Sequence, residues 1–176
     1  MTSPRLTYEE SCKVLQGHGL LEEGSIPLLP DHPPRYDDEE LGTSFFRTMV
    51  SDCDLGNLTI PRTFFGRSQV GPVSFKNSDL SQSTLCWNDF TEVDFIDCDL
   101  SGCDLRASGF EKVRFVRANL RNADLRRSNF EACDFTDADL SGAKLTHAQG
   151  KTVPFSEKQR QDIDWQVDDG EEPGGG

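Results

Sequence analysis

The residues best suited to chemistry in this chain are few and scattered. The three histidines, His18, His32 and His147, lie far apart, and none has a nucleophile and an acid placed around it as in a hydrolytic triad. The sequence has no glycine-rich phosphate-binding loop and no His/Cys set with metal-ligand spacing. We therefore expect no catalytic, metal or cofactor site, and a protein that is not an enzyme.

Six cysteines raise the question of disulfides or a metal site. Four of them, Cys53, Cys98, Cys103 and Cys133, occupy the same small position of a five-residue repeat described below. Successive small positions of this repeat face different sides, so Cys98 and Cys103 have no reason of spacing to pair. The pattern favours buried free thiols over a disulfide or a metal site.

The remaining chemistry is that of binding. The second half of the chain contains a group of arginines that the repeat pattern does not require. A tryptophan at an outward position precedes them. We interpret this area as a candidate partner-binding surface, the alternative being an ordinary solvated surface. Its residues are Trp87, Arg106, Arg121, Arg126 and Arg127.

The element that must position these side chains is a repeat of five residues. Between Leu80 and Leu145 every fifth residue is Leu or Phe, and the order Leu-Leu-Phe-Phe returns every twenty residues. Extended backward, the register reaches Phe45, and all twenty central positions from 50 to 145 are apolar. A period of five fits neither an α-helix nor a simple strand, so it indicates a repeat architecture.

Four five-residue sides per coil would place residue n over residue n+20. Like side chains then stack on like, with Phe90, Phe110 and Phe130 in one column and Leu100, Leu120 and Leu140 in another. The residue two before each centre is small or modest, as it must be if it shares a narrow interior with the central side chain. Each unit therefore has two inward and three outward positions.

The units ADLRR, ANLRN, CDLSG and ADLSG resemble the pentapeptide-repeat family, and the resemblance covers Phe45 to Leu145. It implies an all-β fold, a right-handed quadrilateral β-helix, for which we predict about five coils. It also implies that the protein binds other macromolecules, since some members protect the topoisomerase gyrase from quinolones.

The ends of the chain depart from the repeat. We expect an N-terminal segment over 1–44, the β-helix over 45–155, a capping helix over 156–167 and a disordered tail over 168–176. Thr7 with Glu10, and Ser156 with Gln159, have the form of capping boxes, which predicts a helix from Tyr8 to Gln16 and a second helix presenting Ile163 and Trp165 to the end of the solenoid or to a second copy. Four prolines between 27 and 34 predict an extended stretch laid across the first coil.

The formal net charge of −13 is spread along the chain, and opposite charges alternate in the predicted columns, as in Asp94, Arg114 and Asp134. This alternation is typical of a solvated surface, as is the acidic run from Asp37 to Glu40. The Asp residues before the central positions suit hydrogen bonds to local backbone. The net charge disfavours direct nucleic-acid binding.

We therefore predict a non-enzymatic protein-binding module that inhibits, protects or scaffolds another macromolecule, with a secreted toxin as one partner class. The alternative is a DNA mimic that binds gyrase or a related type II topoisomerase. A homodimer through a terminal cap stays open. No signal peptide or membrane span is visible, so we expect a soluble, cytoplasmic protein.

Overall fold

The computed structural model describes residues 3–35 and 42–168 and is a parallel β-solenoid of about six turns. Residues twenty apart pair side by side, as in Ser44 with Phe64 and Asp89 with Gly109. The regular elements are α1 (Tyr8–Gly17), β1 (Ser44–Phe46), β2 (Met49–Val50), β3 (Cys53–Asp54), β4 (Phe64–Gly66), β5 (Gln69–Val70), β6 (Val73–Ser74), β7 (Asp89–Thr91), β8 (Val93–Asp94), β9 (Gly109–Glu111), β10 (Asn129–Glu131), β11 (Lys144–Thr146), α2 (His147–Thr152), α3 (Glu157–Asp162) and β12 (Asp164–Gln166).

Four faces follow from this register, and each is defined by its central residues. Face 1 contains β1 with β4 and β11 with β12, face 2 the five-stranded sheet β2-β5-β7-β9-β10, and face 3 the three-stranded sheet β3-β6-β8. Face 4 is held by isolated parallel bridges such as Asp79 with Asp99. The central residues are Phe45, Phe65, Leu85, Leu105, Leu125, Leu145 and Trp165 on face 1; Val50, Val70, Phe90, Phe110 and Phe130 on face 2; Leu55, Phe75, Phe95, Phe115, Phe135 and Phe155 on face 3; and Ile60, Leu80, Leu100, Leu120 and Leu140 on face 4.

The core is the set of stacked columns that the sequence predicts. The ring centroids of Phe90 and Phe110 lie 5.1 Å apart with nearly parallel planes, and those of Phe95 and Phe115 lie 5.4 Å apart. Phe110 also meets Phe115 edge to face at 5.5 Å, which locks neighbouring columns together. The prediction of residues twenty apart lying over one another is confirmed.

The small inward positions carry hydrogen bonds as well as packing. The N–H of Ser108 donates to Oγ of Ser128 at 3.0 Å, and that hydroxyl donates to the carbonyl of Leu105 at 2.6 Å. Ser78 makes the same two contacts with Leu58 and Leu55. Serine is therefore tolerated inside the core because its hydroxyl forms hydrogen bonds with backbone groups that lack a partner in the strand ladder.

Most corners of the solenoid are turned by a residue with positive φ, two positions after the central residue; after Val70 the positive φ lies instead at Gly71, before Pro72. Examples are Asp97 at φ 55°, Lys112 at φ 53° and Arg127 at φ 61°. Glycine fills this place at Gly102 and Gly142. A left-handed residue once per five is the local conformation that bends the strand by a right angle and starts the next face.

The N-terminal segment caps the first coil and then crosses face 1. The helix α1 begins at the predicted capping box of Thr7 and Glu10 and buries Cys12 and Leu15. The following stretch is extended, as predicted: Arg62 Nε donates to the carbonyl of Pro30, and Thr84 Oγ1 donates to that of Pro34. We call residues 18–35 the strap. The acidic run from Asp37 to Glu40 lies outside the described residues, as does the tail over 169–176.

The C-terminal end differs from the prediction of one long helix. The helix α3 begins at the capping box of Ser156 and Gln159 but ends at Asp162, and Trp165 lies in β12, paired with Leu145 of β11. The reason is the twenty-residue register, which continues from Leu145 to Trp165 and overrides local helix propensity. Because α2, α3 and β12 complete a further coil, the solenoid has about six turns rather than about five.

Candidate binding surface

Two of the three histidines contact a neighbouring side chain. His147 stacks on Trp165 at 5.1 Å, and His32 lies 2.6 Å from Asp31. Within residues 3–35 and 42–168, no three His, Cys, Asp or Glu side chains are grouped so as to hold a metal ion. None of the helices in the same ranges has the length and apolarity needed to cross a bilayer.

All six thiols are free, and their burial differs. Cys98 and Cys103 lie in the core, and burial raises the pKa of both thiols well above the ordinary value. Cys53 and Cys133 occupy the same small position but are half-buried. The expectation of core thiols is met fully for the first pair and in part for the second.

The arginine-rich area divides into two places. Trp87, Arg106, Arg126 and Arg127 line one groove of about 390 Å³, where Val167 of the last coil joins them. We call this groove the Trp87 groove. Arg121 lies on face 4, where it forms an ion pair with Asp139 at 3.1 Å. The structure thus brings four of the five predicted residues together and separates Arg121 from them.

Two arginines of the Trp87 groove are paired within their own repeat unit. Arg106 Nε and Nη2 donate to the two carboxylate oxygens of Asp104 at 2.9 and 2.8 Å. Arg126 binds Asp124 in the same bidentate way, at 2.9 and 2.6 Å. Burial acts to raise the pKa of Asp124, but the bonds from Arg126 prevail and lower it. The spacing Asp-Leu-Arg was the sequence signal for this pairing, since alternate residues of a strand point to the same side.

Trp87 is the unusual residue of this groove. Its φ is 63°, a left-handed conformation that is rare for bulky side chains, and its side chain is 60% exposed. The fold needs a left-handed residue there but not an indole, because Ala107 fills the same corner one coil later at φ 53°. Neither packing nor turn geometry explains a tryptophan at this position.

The net charge of the outward side chains differs from one face to another, although the net charge of successive segments of the sequence does not show this. The outward positions of face 1, from Ser44 to Val167, hold six basic and three acidic side chains. Those of face 2, from Met49 to Ala132, hold one basic and five acidic side chains, and faces 3 and 4 are also net acidic in the described coils. Face 1 is therefore a basic face on an acidic protein. The twenty-residue register would have shown this from the sequence.

Ile163 and Trp165, the predicted cap or dimer residues, belong to the last coil. Ile163 is buried, and Trp165 Nε1 donates to the carbonyl of Arg160 at 2.8 Å. A Cβ added at Gly150 would lie 2.5 Å from the indole of Trp165, so glycine lets the ring settle on α2. Both residues close the end of the solenoid within one chain.

A comparison with known protein families agrees with this architecture. Residues 88–165 match the family model described as a pentapeptide repeat region. Similar solved structures include a pentapeptide repeat protein, Rfr23, from the cyanobacterium Cyanothece 51142, at 15% identity and a TM-score of 0.46, covering 53% of this chain and 82% of that one. Another, from the Arabidopsis thaliana thylakoid lumen, has 26% identity and a TM-score of 0.29, covering 65% of this chain and 72% of that one.

A third similar structure is QnrB1, described as a plasmid-mediated fluoroquinolone resistance protein. It has 21% identity and a TM-score of 0.35, and the match covers 58% of this chain and 53% of QnrB1. No curated protein matches the chain.

Proposed function

We propose that this chain, whose residues 88–165 match the pentapeptide repeat family, is a non-enzymatic binding module that docks on another protein through the Trp87 groove. The observation that carries the proposal is Trp87 itself, exposed at a strained corner of the basic face. Tryptophan and arginine are the residues most enriched among those that dominate binding energy at interfaces. The left-handed backbone is common to the corners of the solenoid, so the exposed indole, rather than the conformation, points to binding.

The surroundings of Trp87 suit a docking surface. Val167 is 67% exposed at the other end of the groove, so an apolar contact is available on either side of the arginines. The guanidinium groups of Arg106 and Arg126 are fixed by their aspartates and need little further ordering when a partner arrives. A stacked solenoid presents these groups on a rigid wall, which is how repeat proteins form extended binding surfaces.

The experiment is photo-crosslinking in cells, with a photoreactive amino acid at position 87 and, as the control, at Met49. Met49 is also exposed, at 69%, but lies on face 2. We expect a discrete crosslinked partner from position 87 and none in common with position 49. With the purified partner, Trp87→Ala should weaken binding at least about 30-fold, or about 2 kcal/mol, while Met49→Ala leaves it unchanged. Equal effects of the two substitutions would remove the Trp87 groove from the proposal.

A DNA mimic acting on a type II topoisomerase is the second candidate, and the charge of face 2 favours it. Such a mimic must present negative charge in place of phosphates, and face 2 carries Asp89, Glu111 and Glu131 along one sheet with a single basic residue, Lys112, at its corner. The test is gyrase supercoiling with and without a quinolone. Protection should be lost in Glu111→Lys/Glu131→Lys, and the candidate falls if micromolar wild-type protein has no effect.

A further inference from the structure

The left-handed corner after face 1 carries a row of basic and aromatic side chains, one per coil. We call Arg47, Arg67, Trp87 and Arg127 the basic corner; Ala107 lies between the last two. The corresponding corners after faces 2 and 3 carry acidic residues, such as Glu92 and Asp137. Opposite charges alternate there, whereas no acidic residue interrupts the basic corner from 47 to 147.

The arginines at the start of this row differ from the others on the solenoid. Arg114, Arg117 and Arg121 each form an ion pair with an aspartate on a neighbouring coil. Arg47 and Arg67 are exposed and, among the described residues, neither makes an ion pair. The guanidinium of Arg47 lies 5.2 Å above the ring of Phe46, a contact that supplies no anion.

The geometry of the row fits an extended ligand. The first three side chains occupy successive coils of a parallel ladder, in which neighbouring strands are about 4.8 Å apart. Two guanidinium groups and an indole thus follow one another over about 10 Å along the axis. An extended peptide advances about 3.3 Å per residue, so a short segment with repeated carboxylates can meet both arginines while its backbone or an apolar side chain covers Trp87.

We propose that the basic corner binds an acidic, extended segment of the partner protein, its carboxylates on Arg47 and Arg67 and its adjoining residues on Trp87. This rests on the proposed function and names the chemistry of the partner. A protein segment is favoured over nucleic acid because face 2 begins at the same corner with five acidic residues and one basic residue, and repels a wide polyanion. The net charge of −13 acts in the same direction.

The test uses three fluorescein-labelled probes: a twelve-residue peptide alternating glutamate with alanine, its lysine counterpart, and a twelve-nucleotide oligothymidylate. Fluorescence anisotropy with the full chain should show binding of the glutamate peptide that weakens at least tenfold between low and about 0.3 M salt. Binding of the lysine peptide should not depend on the residues of the basic corner. Arg67→Glu should weaken binding of the glutamate peptide at least tenfold.

Lys76→Glu is the matched control, since it changes the net charge equally on exposed face 3; it should alter binding less than twofold. The inference is overturned if the glutamate peptide fails to bind at 1 mM, or if the two substitutions weaken it equally. It is also overturned if oligothymidylate binds more tightly than the glutamate peptide and Arg67→Glu weakens that binding equally. Sedimentation showing a dimer that Arg67→Glu dissociates would overturn it too, because a second copy would then occupy the basic corner. A crosslinked partner at position 87 with no binding of the glutamate peptide would leave the proposed function standing and remove only its acidic partner.

Discussion

At the scale of single residues, the fold fixes a backbone conformation and leaves the side chain open. Non-glycine residues from Arg47 to Asp137 hold φ between 49° and 63° at the corners. Left-handed backbone costs about 1–2 kcal/mol for most residues and less for Asn and Asp, whose short side chains bond locally. Asparagine at Asn57, Asn77 and Asn122 is therefore the side chain that the corner itself selects.

For this reason, replacing Trp87 should not destabilise the folded protein. We expect Trp87→Asn to leave the melting temperature unchanged or to raise it by a few degrees, about 0.5–1 kcal/mol, because strain falls and little packing is lost. The same change should remove partner binding. Thermal melts of wild type and variant give the comparison. A decrease of more than about 1 kcal/mol in the free energy of unfolding would mean that the indole contributes to packing within the chain.

Thiol reactivity is a second property of single residues. Since the thiolate is the reactive form and burial raises the pKa of Cys98 and Cys103, we expect both to resist iodoacetamide at pH 8 in the native protein. Cys53 and Cys133, half-buried at the same repeat position, should be modified first. Mass spectrometry of peptides after timed labelling reports each site, and early labelling of Cys103 would contradict its place in the core.

At the scale of elements, the terminal helices are joined to the solenoid by two glutamines. Gln159 accepts the N–H of Ser156 through Oε1 and donates through Nε2 to the carbonyls of Phe135 and Ala138, at 2.8 and 3.1 Å. Gln149 does the same for α2, with the carbonyls of Leu125 and Ser128. One amide thus caps a helix and also replaces the backbone donors of a missing strand.

Replacing Gln159 by alanine should destabilise the last coil by about 2 kcal/mol, from one lost cap and the carbonyl of Ala138 left without a donor. The carbonyl of Phe135 keeps the N–H of Ala138. Gln159→Glu separates the two contributions, because a carboxylate still accepts from Ser156 but repels the two carbonyls. Urea unfolding and hydrogen exchange of β12 measure the effect. If Glu restores wild-type stability, the bonds to Phe135 and Ala138 contribute nothing.

The same elements show how far the sequence reaches. The capping boxes predict where α1 and α3 begin. The apolar period predicts the faces and the core columns, because inward packing is coded by single side chains. It missed β12, since Asp164, Trp165 and Gln166 suit a helix locally and only the register from Leu145 reveals the strand. The five residues of the candidate surface do not all lie together for a related reason: Arg121 is near Arg126 in sequence but lies on face 4, one corner away in the coil.

At the scale of the whole molecule, stacking coils places carboxylates beside donors many times over. Arg117 donates to both carboxylate oxygens of Asp97 at 2.7 and 2.9 Å, and these bonds lower the pKa of Asp97. The hydroxyl and N–H of Thr136 lower the pKa of Asp134. Burial alone would raise the pKa of Asp139, but bonds from Ser141 and then Arg121 lower it overall.

Acid should therefore weaken the solenoid in a defined window. A carboxylate whose folded pKa lies below its unfolded value of 3.8 adds stability above that value and loses it as the pH falls through the folded pKa. We expect a level melting temperature from pH 7 to about 5 and a decline below about 3.8, measured by thermal melts in one buffer series at constant salt.

Arg117→Gln tests the origin of that decline. Without the guanidinium the pKa of Asp97 should move back toward its ordinary value, so the variant should be less stable than wild type at pH 7 but closer to it at pH 2.5. Lys112→Gln is the control: its Nζ is 3.7 Å from Glu92 with both side chains exposed, so the pair adds little at any pH. Parallel curves of stability against pH for wild type and Arg117→Gln would show that the pairing of Arg117 with Asp97 does not stabilise the solenoid. Its stability would then come from the core columns rather than from the opposite charges at the outward positions.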